Sequence, residues 1–202
     1  MTLVAAAALV LLVQAQTLPP PFPRDGVTKL LENDRVVVWD VSWLRQTYPV
    51  HRHGYDFTGV YYTNGDRIIV SEQGVRSPTR SVAWDTFFLR RGLTHSEEGA
   101  SEQPLRGVFV EFKDPAPVGM MDTETTPPVF PGAPGKQLRE SERVVIWEFV
   151  PGPAPSPHRH ARDAVVVAFT ALKPRVTFVP RGTVHNDDQA TGADRVYVFE
   201  VK

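Results

Sequence analysis

Cysteine is absent from all 202 residues, which excludes disulfide frameworks, thiolate zinc sites and cysteine nucleophiles. Any metal must then be held by imidazole and carboxylate. An excess of one charge is missing as well: 22 Lys+Arg stand against 23 Asp+Glu, and no basic block of five or more occurs. That balance argues against a nucleic-acid or polybasic membrane binder. Long amphipathic helical patterns, Gly-rich phosphate loops, nucleophile elbows and His-Glu-x-x-His helices are also lacking. What is plentiful is 19 prolines, 14 glycines and short Val-rich runs between them, the composition of a turn-rich all-β protein. The length fits one large domain or two small ones.

Met1 to Gln16 read MTLVAAAALVLLVQAQ, an uncharged apolar stretch closing on the small-residue pattern Val13-Gln14-Ala15. It reads as a secretory signal peptide, residues 1–15, cleaved after Ala15. The apolar run from Leu3 to Val13 is too short to span a bilayer, so no stable membrane anchor is expected after cleavage. Removing it takes away no charged side chain and leaves the formal charge at −1. Export without cysteine suits a periplasmic or secreted protein.

Laid on itself, the chain repeats. Arg35-Val36-Val37-Val38-Trp39-Asp40 matches Arg143-Val144-Val145-Ile146-Trp147-Glu148, and His51-Arg52-His53 matches His158-Arg159-His160. Asp56 and Asp163 each stand three residues beyond. Arg91-Gly92-Leu93-Thr94-His95 then matches Arg181-Gly182-Thr183-Val184-His185, and Val110-Glu111-Phe112-Lys113 matches Phe199-Glu200-Val201-Lys202. Matching stations in one order indicate duplication. The offset is 108, then 107, then 90 residues, so the second copy lacks about 17 residues lying between Tyr62 and Phe87 of the first, as a lost hairpin would leave. This gives a first domain over 16–113, a Pro-rich strap over 114–137 and a shortened second domain over 138–202. The strap carries six prolines and three glycines, with Met120, Met121, Val129 and Phe130 available to dock on a neighbouring surface. Leu18 to Pro23 is a second extended arm.

Strand patterns follow in Arg35 to Trp43, Phe57 to Tyr62, Arg67 to Val70, Thr86 to Leu89 and Gly107 to Phe112, with Asn64-Gly65 as a tight hairpin turn. The second copy repeats them in Arg143 to Val150, Ala164 to Thr170, Arg175 to Val179 and Arg195 to Val201. Two such sets point to paired β-sandwiches or barrels.

All six histidines fall in the repeat stations: His51, His53 and His95, then His158, His160 and His185. In a strand, residues i and i+2 share a face, so each His-x-His presents two imidazoles while Arg52 or Arg159 points away. The Gly-x-x-His stations bring a third, the glycine allowing a sharp turn before its strand. Three neutral imidazoles suit a divalent Fe, Mn, Ni, Cu or Zn and leave positions open for water or substrate.

The second copy resembles the two motifs of the cupin superfamily. Gly152, five residues, then His158-Arg159-His160 reproduce all of the first motif except its final glutamate, and Pro180-Arg181-Gly182-Thr183-Val184-His185 matches the second. The first copy matches less fully, with Arg90 in place of the proline and no glycine ahead of His51. Covering nearly the whole mature chain, the resemblance implies a two-cupin (bicupin) arrangement of tandem jelly-roll (double-stranded β-helix) barrels, each with a metal site in its mouth.

Phe57 and Thr58, or Ala164 and Val165, stand where the family carries its glutamate. Asp56 and Asp163 are the nearest carboxylates; strand parity turns them to the opposite face, so ligation needs a bulge, and without one they are strand-end contacts or supports of the ligands. Arg91 and Arg181 are weaker candidates, able to steer an anion or to stand as rim charges. Tyr61, Tyr62 and Trp84 are read as core or barrel lining, and Asp40 and Glu148 as structural. The functions open to this constellation are a metal-dependent oxidoreductase of dioxygenase type acting on a small organic molecule, a non-catalytic small-molecule or metal binder, and an isomerase or decarboxylase on the same site.

Overall fold

Sixteen β-strands and no α-helix occur among residues 17–113, 130, 135–149, 157–186 and 190–202, which the computed structural model describes. The leader and most of the strap, including Met120, Met121 and Val129, lie outside the described residues. In the first copy the strands are β1 (Val27–Glu32), β2 (Val36–Trp43), β3 (Thr47–Arg52), β4 (Asp56–Tyr61), β5 (Gly65–Ser71), β6 (Arg76–Ser81), β7 (Thr86–Leu89), β8 (Thr94–Gly99) and β9 (Leu105–Phe112). The second copy has β10 (Lys136–Glu140), β11 (Val144–Phe149), β12 (His158–Arg159), β13 (Asp163–Thr170), β14 (Lys173–Val179), β15 (Val184–His185) and β16 (Arg195–Val201). β10 therefore begins inside the segment read from composition as linker.

Each copy has one five-stranded antiparallel sheet, in the order β1-β2-β9-β4-β7 and its counterpart β10-β11-β16-β13-β14. Opposite them lie β3-β8-β5-β6 in the first copy and, among the described residues, β12-β15 in the second. This facing of sheets by long crossovers is a jelly-roll arrangement. The two five-stranded sheets pack back to back. Val36, Val38, Val60, Val108, Val110 and Phe112 meet Val144, Ile146, Val165, Val167, Phe169 and Phe199 in one buried cluster. Strand alternation sends the neighbouring residues inward, so Val37, Trp39, Val41, Trp43, Phe57, Tyr61 and Phe109 fill the first unit and Ala164, Val166, Ala168, Val196 and Val198 the second. Both faces of each central sheet are covered at its inner strands, which explains why β2, β9, β11, β13 and β16 read as nearly unbroken apolar runs.

Tyr61 and Tyr62 thus face opposite ways. Tyr62 donates its hydroxyl to Asp40 (2.6 Å), which also accepts from Arg106 (2.8 Å). Glu148 takes the hydroxyl of Tyr197 (3.2 Å) and pairs with Arg195. Trp84 belongs to the layer between the sheets, its ring 5.4 Å from Phe169 and 6.2 Å from Tyr197. Its φ of 75° is a left-handed backbone that a tryptophan rarely adopts.

Asn64-Gly65 is not a hairpin turn. β4 pairs with β7 and β9, whereas β5 pairs with β6 and β8, so this dipeptide carries the chain from one sheet to the other. Gly65 is needed there because a Cβ would stand 2.6 Å from that of Leu105, and Asn64 Oδ1 accepts from the Ala83 amide (2.9 Å). The hairpin of this region is β5–β6 instead. In the second copy β13 runs directly into β14 through Ala171 and Leu172, both at positive φ, and the 17-residue shortfall corresponds to the span of β5 and β6.

Candidate metal centre

The first histidine pair sits at the end of β3. A bulge between Tyr48 and His51 sets Tyr48 opposite Glu97 and His51 opposite His95, so residues three apart both turn inward. Pro49 occupies the bulge, where no ladder N–H is required; its carbonyl accepts from His51 Nδ1 (3.0 Å). That bond fixes the proton on Nδ1 and leaves Nε2 as the basic nitrogen. His95 comes from β8, whose burial alternates and turns His95 and Glu97 to one face. In the second unit His158 lies opposite His185 in the β12–β15 pair.

Glycine closes each site in the same way. Gly92 at φ +90° and Gly182 at φ +72° send their amides to the carbonyls of His53 (2.8 Å) and His160 (2.9 Å), binding the third-histidine loop to the His-x-His strand. The result is two groups of three imidazoles, each with one nitrogen per ring within 4.8 Å of the others. Ring separations nearly coincide: 5.3, 4.6 and 5.3 Å in the first group and 5.3, 4.4 and 5.2 Å in the second.

The first group is buried throughout, whereas His158 and His185 are half-buried and His160 fully buried. Burial lowers the His51 pKa and, together with His51 and His95, brings that of His53 down to about 3. These rings are therefore neutral at physiological pH, the form that ligates metal. Buried Nδ1 atoms of His53 and His95 have no hydrogen-bond partner among the described residues. On chemistry and placement, the residues fit a shared ion.

Asp56 and Asp163 enter neither group. Asp56 accepts from the Arg91 amide (2.8 Å) and pairs with Arg143 (3.2 Å); Asp163 accepts from the Arg181 amide (3.0 Å) and pairs with Arg35 (2.8 Å). Each carboxylate thus caps a glycine loop of its own unit and grips an arginine of the other. Arg91 also approaches Asp56 with its side chain (3.6 Å), and neither Arg91 nor Arg181 lines the cavity described next. Tyr61 does.

Above the first group lies a cavity of about 260 Å³, walled by Phe22, Trp43, Phe57, Phe87 and Phe109 and carrying Tyr61, Arg67 and Glu97. His53 stacks on Phe57 at 4.1 Å. Sequence reasoning missed Glu97 and its partners. Trp43 Nε1 donates to it (2.8 Å), as do Arg67 (3.0 Å) and Arg24 (3.5 Å), and His95 Nε2 lies 3.7 Å away. Burial alone would raise its pKa, but His95, Arg67 and Arg24 outweigh it and hold the carboxyl below its usual range. The spacing His95-x-Glu97 was a usable signal, since i and i+2 share a strand face. Arg24 and Arg67 give no such signal: the pairing of β5 with β8 brings Arg67 there, and Arg24 arrives from the turn before β1, packed over the Tyr48 ring at 3.6 Å.

In the second unit Ala164 stands where the first has Phe57, and Phe130 packs against His160 at 4.5 Å and Phe149 at 5.0 Å. Phe130 donates its amide to Arg159 O (2.8 Å), whereas in the first unit the bond runs the other way, with Arg52 donating its amide to Pro19 O (3.0 Å). Phe22 and Phe130 differ by the same 108 residues as the first repeat station, so the arm belongs to the duplicated unit.

No family profile and no curated protein matches the sequence. Solved structures do. AerE from Microcystis aeruginosa aligns over 92% of this chain and 99% of its own at 12% identity and a TM-score of 0.57. A cupin 2 conserved barrel domain protein from Leptotrichia buccalis aligns over 87% and 88% at 16% identity (TM-score 0.48). A cupin domain from Bordetella pertussis Tohama I aligns over 49% of this chain and 99% of its own at 20% identity (TM-score 0.41). At these identities the likeness is one of fold.

Proposed function

We propose that this protein, whose fold is that of the cupins, is an exported metalloenzyme of two tandem barrels that transforms a small organic molecule in its first barrel. The observation that carries this reading is the convergence of His51, His53 and His95 at an aromatic-walled cavity. A reaction of oxidoreductase, dioxygenase-like type fits best. Three neutral imidazoles add no negative charge to a divalent ion and leave positions for two further ligands. When bound, such an ion supplies substrate polarisation and dioxygen activation. The chain's own part is to hold the imidazoles, with Pro49 orienting His51 and the Gly92 loop anchoring the His95 strand, and to keep water from the ring walls.

A non-catalytic binder is the second reading, and one observation favours it. Glu97, the carboxylate that lines the cavity, is occupied by Trp43, Arg67 and Arg24, which leaves it poorly placed as a general base. Metal analysis separates the two. Elemental mass spectrometry of untagged protein, alongside the His51→Ala/His53→Ala and His158→Ala/His160→Ala pairs, is expected to give near-stoichiometric iron, manganese, nickel, copper or zinc. Oxygen uptake with small organic acids and phenols should vanish with the first pair. No metal above background after reconstitution with each ion would sink the enzyme reading and leave the binder.

A further inference from the structure

The first cavity is walled largely by apolar side chains, and the charged groups at its wall are not balanced. Two guanidinium groups, Arg24 and Arg67, converge on the single carboxylate of Glu97, whose side chain is 8% exposed. Arg67 lies over the Trp43 ring at 4.8 Å and donates to Tyr61 Oη (2.7 Å) and Glu97 Oε1 (3.0 Å), but its Nε is buried with no acceptor. That same Glu97 oxygen is 3.7 Å from His95 Nε2, so the guanidinium and the imidazole group share it as a neighbour. Two guanidinium groups against one carboxylate, all largely buried, leave a surplus positive charge at the wall that Arg67 lends the cavity, and such a charge is stabilised by an anion.

From this we infer that the first barrel takes a small ring-bearing organic anion, an aromatic carboxylate, with Arg67 as the residue that selects its charge. Its ring lies among Phe57, Phe87 and Phe109, which already pack edge to face or tilted, with centroids 4.7 to 6.0 Å apart. The cavity's 260 Å³ sits just below the usual range for ligand sites and so limits the guest to a compact molecule. Arg67 stands on β5, which has no counterpart in the second copy, so this selection belongs to the first barrel alone. The inference rests on the reading of that barrel as the working site.

Calorimetric titration of the untagged full chain with benzoate, benzamide and acetate tests it, before and after chelator treatment. Near neutral pH, benzoate is expected to bind at least about tenfold more tightly than its uncharged isostere, the worth of one charge-assisted hydrogen bond, and more tightly than acetate. That preference should survive metal removal, persist in Arg67→Lys and disappear in Arg67→Met. Equal affinities for benzoate and benzamide in the chelated wild type would overturn the inference, as would a preference that survives Arg67→Met; acetate binding as well as benzoate would remove the ring from it. The wild-type comparison decides the matter even if Arg67→Met does not fold. Because the chelated protein reports only the cavity's own charge, this test can fail while metal loading and turnover persist, and can succeed in a chain that takes up no metal.

Discussion

Replacing Asp56 tests whether the carboxylate beyond each histidine pair is a structural clasp. Its side chain is 13% exposed and that of Arg143 14%, and among the described residues Arg143 keeps one other acceptor, Lys113 O at 3.0 Å. Asp56→Ala strands a largely buried guanidinium and also uncaps the Arg91 amide. Breaking a buried pair costs about 3–5 kcal/mol; with residual solvent contact, about 3 kcal/mol is expected here. Asp56→Asn keeps an acceptor for the amide and should cost about 1–2 kcal/mol. In a double-mutant cycle with Arg143→Met, the coupling should reach about 2 kcal/mol, since an apolar pair replaces a buried ion pair with little loss. Urea denaturation supplies the stabilities, and metal per chain is read on the same samples. The expected outcome is a less stable protein that still fills its first site at saturating metal. Unchanged stability with an emptied first site would refute the reasoning and make Asp56 a ligand.

Three further predictions use the same assays. Metal-free protein should lose stability as the pH falls from about 6.5 towards 3, because His53 is held neutral in the fold by burial and by His51 and His95, while the unfolded chain takes up the proton. The slope is about 1.4 kcal/mol per pH unit for each such histidine, and an unfolding free energy that stays flat between neutrality and pH ~5.5 would contradict it. Gly92→Ala forces a side chain onto a φ of +90° and should cost about 1–2 kcal/mol with weaker metal uptake at the first site, whereas Gly54→Ala, with nothing within 4 Å, should be neutral by thermal melt. Trp84→Ala should cost about 2–4 kcal/mol through its lost ring contacts, yet Trp84→Gly should be the more stable of the two small variants because only glycine accepts that φ without strain; the reverse order in urea would mean that the backbone there relaxes.

Legibility in the sequence followed burial. The inner strands β2, β4, β9, β11, β13 and β16 carry apolar side chains on both faces and their residues announced them, and Thr86–Leu89 and Arg195–Val201 were read to the residue, whereas the edge strands β1 and β10, with sequences VTKLLE and KQLRE, were not read as strands. β8 was hidden because its inward positions are His95 and Glu97 rather than apolar, and β6 because an edge strand of sequence RSPTRS looks like loop. The imidazole groups were legible through local rules, the i and i+2 parity and the glycine before the third histidine. Nothing local announced the arginine partners of Asp56 and Asp163, which come from 87 and 128 residues away. Asn64-Gly65 misled because a dipeptide reports a tight turn but not which sheet the chain enters next.

What the two copies share and where they part bears on how the molecule works. Retained in both are the crossed aspartate–arginine pairs, the glycine loops, the imidazole spacings and the tryptophan indole bonded to a glutamate of the last strand, Trp39 to Glu111 and Trp147 to Glu200. Each belongs to the frame that joins the two units or orients the histidines. The inner wall has changed instead: Phe57 corresponds to Ala164, Tyr61 to Ala168, and β5 with Arg67 has no equivalent. A frame whose pairs cross between units cannot drift in one copy without disturbing the other, because removing either partner leaves a buried charge uncompensated. Wall residues touch only their own cavity and are free to diverge. The duplication therefore holds two imidazole groups in register, while the chamber beside the first of them is walled by Phe57 and Tyr61 and carries an arginine that has no equivalent in the second.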